Sequence, residues 1–123
     1  MLLEMKPPSQ NGAEDESAIA GAIDRLWLRF FPEIKNRVTA LETAAQAANA
    51  NQLTASQRET ARTAAHKLAG VLGTFGLTRG TALARELEQT LSSEDAGTDD
   101  SSTRLAMAVA ELSAIVESRH SAR

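Results

Sequence analysis

From Ser17 onward, Ile19, Ile23, Leu26, Trp27, Phe30, Ile34, Val38 and Leu41 recur at three- and four-residue spacing. That period is the mark of a helix with one buried face. Pro32 falls inside the stripe. Proline suits the first turn of a helix but removes an interior hydrogen bond, so the pattern predicts two nearly collinear helices, roughly residues 17–30 and 32–49. NANQLT then reads as a turn, and Thr54 followed by Gln57 fits a capping box. A helix is expected from Ala55 to about Leu72 or Phe75, with Gly76 placed to end it in the left-handed conformation. Thr78 is positioned to cap the next helix, which runs through Ser92 with Leu83, Leu87 and Leu91 inside. After the acidic loop SSEDAGTDDSS, Ser101 or Ser102 opens a last helix lined by Leu105, Val109, Leu112, Ile115 and Val116.

Amphipathic helices joined by short connections bury their stripes most economically against one another. The expected fold is all-α: an antiparallel up-down four-helix bundle with an additional short N-terminal helix. Residues 1–16, with Pro-Pro, Asn-Gly and an acidic run, read as a flexible leader or as a linker belonging to a longer protein. The bundle is expected over residues 17–119. Residues 120–123, including His120, read as a frayed tail without a function.

Composition narrows the class. The chain has 123 residues, 42% hydrophobic but only 3% aromatic, as suits an Ala/Leu helical domain rather than a sheet. A net charge of −3 gives no case for nucleic acid, which calls for a basic patch. There is no cysteine, hence no thiolate metal site, and two distant histidines do not suggest zinc. The acidic loop lacks the ligand order of a calcium loop. No apolar run nears the ~18 residues needed to span a bilayer, so a cytoplasmic location is expected. No surplus apolar stripe calls for a dimer, so a monomer is expected. Trp27 with Phe30 and Phe31 is better read as core, or as a cover for one end of the bundle, than as a ligand box.

The segment AAHKLAGVLGTFGLTRG, residues 64–80, carries the candidate chemistry. Glycine inside a helix costs about 1 kcal/mol relative to alanine, yet Gly70 and Gly73 sit mid-helix beside His66. On a helical wheel Ala61, Ala65, Leu68, Val71, Leu72 and Phe75 fall opposite His66. Glu59, Arg62, Thr63, Ala69, Gly70 and Gly73 fall within roughly 60° of it. The imidazole is therefore expected to face outward, over bare backbone on which a macromolecule can land. An isolated surface histidine is usually unremarkable. The two glycines set this one apart.

AHKLAGVLGTFGL, followed by the Leu-rich ALARELEQTL, resembles the histidine-containing phosphotransfer (HPt) domains of bacterial phosphorelays. The family pattern has a His, a Leu two residues on, a Lys three on, a Gly four on and a further Gly along the helix. His66, Leu68, Gly70 and Gly73 match, whereas Ala69 stands where the Lys belongs. The helical layout is similar across residues 17–119. The resemblance implies that His66 accepts a phosphoryl group from a receiver-domain aspartate, or from a kinase, and passes it to another receiver. It makes Lys67 and Arg62 the candidates to steady the phosphate charge, and Thr63, Ala69, Gly70 and Gly73 the docking surface. The implied partners are response-regulator receiver domains and a hybrid histidine kinase, with no nucleic acid and no membrane. The implied cofactor requirement is none on this chain, with Mg²⁺ on the partner receiver. Without a Gly-rich phosphate loop or a kinase signature, the chain reads as a carrier and not as an enzyme with an ATP site.

Two other readings stand beside it. An HPt-like module could dock receivers without being phosphorylated, and the missing Lys favours that version. A small phosphohistidine-dependent phosphatase would need a carboxylate beside His66, for which Glu59 is the candidate on that face.

Overall fold

A computed structural model describes residues 8–93 and 99–122. Four helices follow one another: α1 (Pro8–Asn49), α2 (Ala55–Thr74), α3 (Thr78–Ser92) and α4 (Asp99–Ser121). Each packs on its neighbours in sequence, and α1 closes the ring against α4. The all-α up-down bundle is as expected, but the extra N-terminal helix is not. Residues 17–30 and 32–49 belong to the single helix α1, which holds Pro32 in its interior. The missing proline N–H would have bonded the carbonyl of Leu28, four residues back. Leu28 is exposed, so water can serve that carbonyl and the helix continues.

The ends of the bundle differ from expectation in the same direction. α1 begins at Pro8 rather than Ser17, so residues 8–16 are helical, while the rest of the expected leader, residues 1–7, lies outside the described residues. α4 begins at Asp99 rather than at Ser101 or Ser102; Asp99 and Asp100 fill its first turn, where negative charge suits the helix dipole. Ser101 and Ser102 are instead buried, and the Ser102 hydroxyl donates to the Ala48 carbonyl at 3.1 Å, tying α4 to the end of α1. Residues 94–98 of the acidic loop lie outside the described residues. Leu77, not Thr78, takes the cap position of α3, and no side chain caps it.

The local signals around α2 hold. Thr54 Oγ1 accepts from the Gln57 N–H while Gln57 Oε1 accepts from the Thr54 N–H, both at 3.0 Å, completing the capping box. At the other end Gly76 adopts φ +71°. Its N–H bonds the Gly73 carbonyl and that of Leu77 bonds Leu72, the paired pattern that closes a helix on a left-handed residue. Asn51, at φ 56°, ends α1 in the same way.

Inside the ring, Trp27, Ile34, Val38 and Leu41 of α1 meet Leu68 and Leu72 of α2, Leu83, Leu87 and Leu91 of α3, and Leu105, Leu112 and Val116 of α4. Each fully buried side chain of this kind contributes about 1.5–3 kcal/mol. Buried alanines, among them Ala44, Ala48, Ala61 and Ala65, let the helices approach closely. Gly80 belongs to the same packing: a Cβ there would lie 3.2 Å from Leu72 Cδ1 and 3.5 Å from Ile115.

Trp27 is core, as expected, and it organises one end of the bundle. Phe75 meets it edge-on at 5.1 Å and Arg119 lies 5.0 Å over its ring. Its Nε1–H donates to His120 Nδ1 at 3.2 Å, and His120 stacks on Phe31 at 3.7 Å. The reading of residues 120–123 as a frayed tail is therefore corrected for His120 and Ser121, which are helical. An indole N–H carried out of water needs an acceptor, and His120 supplies it.

Candidate functional site

The working face lies on α2. Its inner side buries Ala61, Ala64, Ala65, Leu68, Ala69 and Leu72, which fixes the rotation of the helix and turns His66 away from the core. The His66 side chain is 70% exposed. Around it Gly70 and Gly73 are exposed. A Cβ at Gly70 would meet nothing within 4 Å, and one at Gly73 would make only an ordinary 3.6 Å contact with Thr81 Oγ1. Neither glycine is required by the packing of this chain, so the space above them is open by composition rather than by necessity.

α3 contributes a carboxylate that the sequence analysis missed. Glu88 Oε2 lies 3.0 Å from His66 Nδ1. A carboxylate can only accept, so this contact favours the neutral tautomer with its proton on Nδ1, in which Nε2 is the ring nitrogen with a free lone pair. Glu88 also lies 3.8 Å from Arg62 Nη1. A signal for it does exist in the sequence. The α2–α3 hairpin turns about Leu77, and His66 and Glu88 each stand eleven residues from it, hence at the same height on antiparallel helices.

The other expected residues divide. Arg62 does flank His66, but its guanidinium grips Glu59 through two bonds, Nε to Oε2 at 2.9 Å and Nη2 to Oε1 at 2.5 Å. The pairing holds the Glu59 carboxyl below the usual carboxylate range and the Arg62 guanidinium above its ordinary value, the hydrogen bond being the larger cause in each. Glu59 is therefore turned to Arg62, and the carboxylate on the histidine is Glu88. Lys67 is exposed and has no ion pair among the described residues. With half-buried Thr63 it lines a shallow groove between α2 and α1, whose far wall carries Glu33, Asn36 and Arg37. Ala69 is corrected. It is buried and belongs to the packed side of α2, so it is not part of a docking surface. The wheel puts it at the margin of the His face, and in the bundle that margin joins the core cluster.

The comparisons with known proteins bear on this geometry. Residues 25–118 match the Hpt domain family. The chain belongs to that family. Hpt domains are phosphotransfer carriers of phosphorelays, and the open histidine on the second helix of the bundle suits that role. Protein RcaC of Microchaete diplosiphon is 37% identical over 73 residues, which make up 59% of this chain and 11% of RcaC. The chain thus spans about a tenth of that relative's length. No solved structure matches this Hpt domain. Among its described residues no helix is long and apolar enough to cross a membrane, and no group of three or more His, Cys, Asp or Glu could hold a metal ion.

Proposed function

We propose that this Hpt domain carries a phosphoryl group on Nε2 of His66, taking it from the aspartyl phosphate of a receiver domain and returning it to another. The observation that carries this reading is the arrangement around one ring: an exposed imidazole, its Nδ1 engaged by Glu88, on a face cleared by Gly70 and Gly73. The Nε2 lone pair attacks phosphorus, the N–P bond forms as the P–O bond to aspartate breaks, and the aspartate leaves as a carboxylate. The Nδ1 proton stays against Glu88, whose charge offsets that of the phosphorylated ring. In such transfers positioning and charge stabilisation dominate. The partner supplies the aspartate and its Mg²⁺; this chain supplies a nucleophile held in one orientation with room above it. Lys67, without an ion pair among the described residues, is available to the phosphoryl oxygens, and Arg62 would have to loosen its hold on Glu59 to help. Thr63, Gly70 and Gly73 form the floor on which the receiver rests.

One observation favours a second reading, a module that docks receivers without accepting phosphate. Ala69 occupies the place of the family lysine and is buried. Incubation of the chain with a panel of phosphorylated receiver domains separates the two. Intact mass is read at neutral to alkaline pH, because N–P bonds are lost in acid, with His66→Gln alongside. An acid-labile adduct of one phosphate, absent from His66→Gln, is the expected result. Docking with no adduct from any receiver would establish the second reading instead.

A further inference from the structure

Two groups converge on one carboxylate oxygen. Glu88 Oε2 lies 3.0 Å from His66 Nδ1 and 3.8 Å from Arg62 Nη1. The first distance is that of a hydrogen bond and the second is not, so the imidazole holds the oxygen while the guanidinium stands beside it. Left to itself, that guanidinium would be the stronger partner, because it is always charged and its planar fork suits a carboxylate. What keeps it back lies in the opposite direction. Glu59, one turn toward the start of α2, accepts from Nε at 2.9 Å and from Nη2 at 2.5 Å. Glu59, Arg62 and His66 stand at i, i+3 and i+7 on one helix face, so the hold of Glu59 draws Arg62 away from the histidine's partner.

The charges make the same point. Glu88 is the more enclosed carboxylate, its side chain 26% exposed against 64% for Glu59, and a charge is felt more strongly where less water surrounds it. Glu59 neutralises Arg62, which leaves the charge of Glu88 to the imidazole. Without Glu59, Arg62 and Glu88 would pair with each other beside His66. We propose that Glu59 is a positioning residue: by holding Arg62 off Glu88 it keeps Glu88 on Nδ1 of His66, and with it the tautomer whose Nε2 can act as nucleophile. The consequence for phosphate rests on the carrier reading; the competition of Arg62 and His66 for Glu88 does not.

Nitrogen-15 NMR of the full chain tests this, at a pH where the ring is neutral and with the His66 signals assigned by their loss in His66→Gln. In the wild type the proton should reside mainly on Nδ1. Glu59→Ala should lower the ratio of the Nδ1–H to the Nε2–H form by about fivefold, the order of one net hydrogen bond. Glu59→Ala/Arg62→Gln should return it to the wild-type ratio, because the competitor is gone. Glu59 is exposed and Arg62 half-exposed, and thermal unfolding checks that each variant folds. A merely structural role for Glu59 would move the melting temperature and leave the tautomer in place. An unmoved tautomer in Glu59→Ala would overturn the proposal, as would a shift that the second substitution fails to reverse, or a wild type with its proton on Nε2. Phosphate uptake from a phosphorylated receiver should slow in Glu59→Ala by up to about tenfold, less than for a lost Glu88. Faster uptake would also overturn the proposal, since the freed guanidinium would then be serving the phosphoryl group. A chain that shows the tautomer changes but takes phosphate from no receiver would uphold the competition and refute the carrier reading.

Discussion

The two histidines of this chain have the same ring and opposite surroundings. His66 stands 70% exposed, with glycines beside it and one carboxylate from the next helix. His120 is half-buried, stacked on Phe31 and bonded by the indole of Trp27. In one case the packing stops short of the ring and leaves a nitrogen available. In the other the packing consumes the ring as a building block. The residue type alone therefore says little about role; what distinguishes the two is which partners the neighbouring helices bring, and how much they leave uncovered.

Substitution at each ring is the most direct way to break the comparison. His66→Gln should abolish phosphate uptake with little change in melting temperature, whereas His120→Gln should leave uptake intact; both are read by intact mass after exposure to a phosphorylated receiver. Gly70→Leu comes next. It projects into open space, so transfer should be lost while melting shifts by no more than a few degrees; a collapse of the fold would refute the docking role. Glu88→Ala should slow transfer by up to about 100-fold, the order expected when a reacting group loses its orientation. Glu88→Gln should slow it less, because the amide oxygen still accepts from Nδ1.

On the structural side the effects are in stability. His120→Ala removes a stacked ring and orphans the Trp27 N–H, for a loss of about 1–3 kcal/mol visible in thermal unfolding, with transfer rates unchanged.

The smallest effect is electrostatic. Arg62 and Arg79 hold the carboxyls of Glu59 and Glu111 below the usual range, chiefly through their hydrogen bonds. A depressed folded-state value stabilises above the ordinary carboxylate range and loses that contribution as pH falls through the lowered value. Melting temperature should therefore decline toward acid pH, and added salt should flatten the decline because both pairs are exposed.

Much of this was legible in the chain. The period of the apolar residues located the core faces, Thr54 with Gln57 marked the start of α2, and Gly76 its end, because each of these is a local rule acting within a few residues. His66 could be aimed outward by the same wheel. What escaped were relations between helices. Glu88 lies 22 residues from His66, and only the symmetry of the hairpin about Leu77 places them together. Ala69 lies at the margin of the His face on an isolated wheel, yet in the bundle it is buried. Gly80 drew no notice beside Gly70 and Gly73, although it alone of the three sits against its neighbours at 3.2 Å. Pro32 was over-read: the rule that proline breaks a helix assumes a carbonyl with nowhere else to turn, and the carbonyl of an exposed Leu28 has water.

The length over which the bundle grips α1 also divides that helix in time. From Asp24 on, the helix is locked into the bundle through the Asp24–Arg119 pair, Trp27, Ile34, Val38 and Leu41; before Asp24 it projects with no hydrogen bond or ion pair to another helix among the described residues. Backbone amides in the two parts should then exchange with solvent deuterium on separate schedules, the bundle part through global unfolding and the projecting part through local opening. One continuous helix would behave as two cooperative units, and the boundary between them would fall near Asp24, where the contacts with α4 begin.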